Sequence, residues 1–105
     1  MRADAGLVPI ALATLRQAGW QATRLQAGTA RGGRMHLADA GWYDIVALSP
    51  IGIVYFIEAK AEKKGVLSES QRRFAAWCRA HGHGHRLVVI WSVDDVVQLV
   101  EGRRA

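Results

Sequence analysis

With 105 residues, half of them hydrophobic and 22% charged, the chain can bury one modest core and is too apolar to be disordered. Its single cysteine excludes an intramolecular disulfide, and its strictly apolar runs, such as Ile53–Ile57 and Leu87–Trp91, are too short to span a bilayer. The net charge of +5 favours a polyanionic partner, nucleic acid before membrane.

The expectation is one domain over residues 1–105. Leu7–Leu15 after Arg2 has the look of a signal-peptide core, but Asp4 and Pro9 sit badly in one and no small-residue cleavage site follows. A cytoplasmic protein with no membrane attachment is expected. In chain order, Val8, Leu12, Leu15 and Ala18 fall at helical spacing, predicting a first helix from near residue 8 to Gly19. Pro9 is tolerable there only in the first turn. Trp20–Gln26 alternates as a first strand. Gly28–Ala40, with three glycines, two arginines and a histidine, reads as a basic loop.

Gly41–Lys60 predicts a β-hairpin. DIVALS and IVYFIEAK are rich in β-branched and aromatic residues, and Pro50-Ile51-Gly52 between them has turn chemistry. Closed symmetrically about Ile51, the hairpin puts Asp44 opposite Glu58, where facing Cβ atoms lie roughly 4.5–5.5 Å apart. Strand alternation sets Lys60 on the Glu58 face. Val46, Leu48, Val54 and Phe56 share that face, and Ile45, Ala47, Ile53, Tyr55 and Ile57 take the other. Both faces are apolar, so both are expected to be covered. Two carboxylates at the margin of such a sheet need neutralising, by Lys60 and by a hard divalent cation such as Mg²⁺ or Mn²⁺.

Ser68–His81 predicts a helix opened by a Ser68-x-x-Gln71 capping box and stopped by Gly82, with Phe74, Trp77 and Cys78 as its inward stripe. Leu87–Trp91 is a fully apolar strand. Ser92 is expected to cap a last short helix, Val93–Glu101. The expected order is α-β-β-β-α-β-α.

An Asp opening the second strand, Glu-x-Lys closing the third, and a helix with Gln in its first turn resemble the PD-(D/E)XK phosphodiesterases, whose core is αβββαβ. Within that superfamily the chain resembles the virus-type replication-repair nuclease (VRR-NUC) domain, often a small stand-alone phage or bacterial protein. The matching residues are Gly41-Trp42-Tyr43-Asp44, Ile57-Glu58-Ala59-Lys60 and Gly65-Val66-Leu67-Ser68-Glu69-Ser70-Gln71, completed by Gly82 and Ser92-x-Asp94-Asp95. They cover roughly residues 41–100. Tyr43 stands where the family usually has Pro, and no glutamate precedes Glu58 to match the one many members carry in the first helix.

The resemblance implies an α/β, restriction-endonuclease-like domain: a mixed sheet flanked by helices, with a short C-terminal helix. It implies a Mg²⁺-dependent DNA endonuclease, with Mn²⁺ as substitute, acting as a homodimer on structured DNA such as four-way junctions. Asp44, Glu58 and the Ala59 carbonyl would hold the metal, with Lys60 and Gln71 completing the catalytic set. The alternative function is a non-catalytic nucleic-acid-binding module; a third is a protein-interaction subunit. Plainer roles stand beside each residue. Asp44 also suits a strand-start turn, Glu58–Lys60 an exposed edge salt bridge, and Gln71 its capping box alone. Arg31, Arg34, Lys63, Lys64, Arg72 and Arg73 are candidates for phosphate contact or for plain solvated charge. His81-Gly-His83-Gly-His85 reads as a polar loop rather than a metal site, and Cys78 as core. Trp77 and Trp91 are expected in the core, and Trp42 beside the substrate.

Overall fold

The computed structural model describes residues 6–25, 28–29, 36–38, 43–60 and 67–102. Helix α1, Leu7–Gln17, holds Pro9 in its first turn and buries Val8, Ala11 and Leu15. The expected stripe is displaced: Leu12 is only partly buried, and Ala18 is an exposed residue past the helix end. Strand β1, Gln21–Arg24, is shorter than expected. Trp20 is buried instead against Tyr55, with ring centroids 5.4 Å apart. The Arg16 guanidinium donates to the Ala22 carbonyl at 3.0 and 3.2 Å, tying α1 to β1.

Gly28–Ala40 departs from the expected loop. Gly28–Thr29 (β2) and His36–Ala38 (β3) pair antiparallel in a small sheet of their own. Strands of two and three residues carry too little alternation to show in a sequence.

Strands β4, Ile45–Leu48, and β5, Val54–Ala59, form the expected hairpin in the expected register: Ile45 faces Ile57, Val46 faces Phe56, Ala47 faces Tyr55 and Leu48 faces Val54. Its turn is fixed locally. Ser49 accepts the Gly52 N–H on its carbonyl and the Ile53 N–H on its hydroxyl, at 2.8 and 3.1 Å. Gly52 has φ of 84°, a conformation that L side chains rarely adopt.

Helix α2, Glu69–Ala80, begins with both halves of the Ser68–Gln71 capping box and carries the chain across to β6, Leu87–Ile90, which runs parallel to β5. A 3₁₀ turn at Gly84–Arg86 leads into β6, and α3, Val93–Val100, follows it. The Asp95 carboxylate accepts the Trp91 N–H at 2.7 Å, so Asp95 rather than the Ser92 hydroxyl braces the start of α3. The main sheet has the order β1-β4-β5-β6.

One face of this sheet is closed. Ile45, Ala47, Ile57, Ala59, Val88 and Ile90 pack with Val8, Ala11 and Leu15 of α1 and Val96 and Leu99 of α3. The other face, carrying Val46, Leu48, Val54, Phe56 and Glu58, is only partly covered, with Leu48 39% exposed. The expectation that both faces are interior fails here. Helix α2 buries Ala75 and Cys78, while Trp77, expected in the core, is 57% exposed and Trp91 is half-buried.

Candidate active site

The backbone ladder between β4 and β5 stops at Ile45–Ile57, and side chains make the next rung. The Asp44 N–H donates to Glu58 Oε1 at 3.2 Å, and the Ala59 N–H donates to Asp44 Oδ2 at 3.0 Å. Each carboxylate thus binds backbone on the opposite strand, which fixes both acids at the end of the hairpin. In an extended strand the N–H and C=O of a residue point to the same side, so the Ala59 carbonyl lies on the Asp44 side of β5. The Lys60 N–H bonds the Ile90 carbonyl on the far side at 2.9 Å, keeping β5 in register with β6 up to the lysine. The Lys60 ammonium reaches Glu58 Oε2 at 3.0 Å.

Glu58 is 4% exposed, which removes the exposed-edge alternative for its ion pair with Lys60. Burial, followed by the nearby Asp44 charge, pushes the Glu58 carboxyl above its ordinary range; bonds from Gln71 and Lys60 oppose that shift. The Gln71 amide oxygen accepts the Ser68 N–H at 2.9 Å, and the side chain lies near enough to Glu58 to favour its ionised form. Beneath them Tyr43 is 2% exposed, its ring edge-on to Phe74 at 6.0 Å. Burial and then the Glu58 charge raise the Tyr43 hydroxyl pKa.

Among the described residues, two acids stand against one ammonium here, with Glu58 buried, an arrangement that a hard cation relieves. Among the described residues no three His, Cys, Asp or Glu side chains gather as a metal site. Mg²⁺ does not require that number, since it commonly takes one or two carboxylates and completes its shell with water and phosphate oxygens. The donor set fits such an ion.

Of the other expected site residues, Arg72 and Arg73 make local bonds. Arg72 donates to the Leu67 carbonyl at 2.8 Å, and Arg73 pairs with Glu69 at 2.9 Å with its side chain 75% exposed. Arg31, Arg34, Lys63, Lys64 and Trp42 lie outside the described residues. The histidine tract has backbone reasons for its glycines. Gly82 has φ of 79°, and a Cβ on Gly84 would meet the Arg79 side chain at 2.6 Å. His81 bonds the Trp77 carbonyl at 2.8 Å and stacks on its indole at 4.1 Å. That stack went unforeseen, although the i,i+4 spacing of Trp77 and His81 allows it.

The mixed four-stranded sheet, α1 and α3 on one face and α2 on the other, defines a restriction-endonuclease-like α/β fold. Among solved structures the chain is similar to one described as a VRR_NUC domain, with a TM-score of 0.73 and 20% identity over 96% of this chain and 97% of that one. At that identity the likeness establishes a shared fold. No protein-family model matches the sequence, and no curated protein is significantly similar to it. No helix among the described residues is long and apolar enough to cross a membrane.

Proposed function

We propose that this chain is a Mg²⁺-dependent DNA endonuclease, with Mn²⁺ able to substitute. One observation carries the reading: the interlocked Asp44–Glu58 pair, with the Lys60 ammonium 3.0 Å from a Glu58 oxygen, at a buried strand end. The VRR_NUC fold and the net charge of +5 support it. Asp44, Glu58 and the Ala59 carbonyl would hold the ion. Bound there, Mg²⁺ supplies charge neutralisation at the scissile phosphate and a more acidic water.

The chain's own groups do the rest. Lys60, anchored by Glu58, presents a compact positive charge to the phosphoryl oxygens, where negative charge grows as the P–O bond breaks. Gln71 is proposed as a positioning residue, since it favours the ionised Glu58 carboxylate from a helix whose first turn it also caps. Arg31, Arg34, Lys63, Lys64, Arg72 and Arg73 are proposed to bind backbone phosphates. A single site cuts one strand, so cleavage of both strands, as at a four-way junction, calls for a two-fold homodimer.

Supercoiled plasmid incubated with Mg²⁺, Mn²⁺ or EDTA tests the reading. Nicking in either metal, lost in EDTA and in Asp44→Ala, is the expected result. Retained DNA binding with no cleavage in either metal would replace the nuclease by a non-catalytic binding module.

A further inference from the structure

The open face of the sheet does not end at Glu58. From there β5 presents Phe56 and then Val54, and α2 runs alongside, presenting Phe74 and then Trp77 beyond Gln71. Between them lies a groove of about 330 Å³, with His83 and Arg86 also on its lining. At about 3.3 Å per strand residue and 1.5 Å per helix residue, it extends about 9–13 Å from the carboxylates. That distance is on the order of three stacked nucleotides.

We propose that this groove binds an unpaired nucleobase of single-stranded DNA whose backbone continues to the Asp44–Glu58–Lys60 cluster. The proposal deepens the nuclease reading, on which the path of the strand rests. Three features carry it. The walls are aromatic: Phe56 and Phe74 meet edge to face at 5.4 Å, and Trp77 keeps 57% of its surface exposed. The indole is held in advance by its stack on His81, so little side-chain freedom is lost when a second ring system meets it. Arg86 brings positive charge, which complements a phosphodiester backbone and would repel the same groove on a second copy. A base inside a duplex has both faces covered by its neighbours, so only an unpaired base can offer a face to these walls.

The test is fluorescence anisotropy in EDTA, using a fluorescein-labelled oligothymidylate and, separately, its duplex with oligoadenylate. Because Trp77 is exposed, Trp77→Ala should match the parent in its thermal melt. It should weaken single-strand binding by about 5- to 150-fold, the range for losing one stacked base, and duplex binding by less than about two-fold. Trp77→Phe should restore most of the difference. Equal loss on both ligands, no loss on either, or no single-strand binding by the parent overturns the proposal. So does a parent dimer that Trp77→Ala turns into a monomer in sedimentation, since the groove would then belong to a second copy. The outcome is separable from that of the nuclease reading. A chain that selects single strands through Trp77 but never nicks plasmid keeps the groove and loses the nuclease, and one that nicks without selecting loses the groove alone.

Discussion

The two faces of the β4–β5 hairpin carry similarly apolar residues and meet different fates. Ile45, Ala47, Ile57 and Ala59 are at most 1% exposed beneath α1 and α3. Across the same strands Leu48 is 39% exposed, Val54 and Phe56 are half-buried, and the row ends on a buried glutamate. Hydrophobicity alone therefore does not separate a face that stabilises the fold from one kept open for a ligand. What separates them is the cover, two helices on one side and one aromatic-bearing helix on the other.

This contrast can be broken at several points. The largest effect belongs to the charged end of the open face: Lys60→Ala should lower plasmid nicking by at least about 10²- to 10³-fold while leaving DNA binding in EDTA largely intact. Undiminished nicking would remove the lysine from the chemistry. Next comes the closed face, where Ile57→Ala should cost about 2–5 kcal/mol in denaturant unfolding, because it opens a cavity among residues that cannot collapse into it.

A smaller, pH-dependent effect is expected from Glu58. Its carboxyl is raised in the folded chain by burial and by Asp44, against the pull of Gln71 and Lys60, so folding favours its protonated form. That contribution is fully present below the unfolded-state pKa and is lost as pH rises through the raised value. Wild-type melting temperature should therefore fall relative to Glu58→Gln as pH goes from acid to neutral, and parallel curves would deny the shift. The smallest effect is at the exposed end of the open face: Leu48→Ala should change stability by no more than about 0.5 kcal/mol, measured in the same unfolding series.

How much of this was legible in the sequence follows from the range of the forces involved. The hairpin register was legible because a five-residue turn sets it locally, through Ser49 and the positive φ of Gly52, and register then brings Asp44 to Glu58. The start of α2 was legible for the same reason, its capping box being contained in Ser68–Gln71. Trp77 was not. At about 100° per residue the stripe through Gln71, Phe74, Ala75 and Cys78 leaves position 77 at its margin, and an apolar count assigns a tryptophan inward by default. The openness of the Phe56 face was equally hidden, since it depends on how many helices the sheet receives on each side. Only tertiary packing decides that.

The proposed chemistry requires Asp44 and Glu58 to hold a divalent cation together. Titrating Mn²⁺ into the protein and following the loss of its free-ion electron paramagnetic resonance signal tests this directly. One ion bound per chain, with binding lost in both Asp44→Ala and Glu58→Gln and kept in Trp77→Ala, is the predicted result. Binding that survives loss of either carboxylate would contradict it.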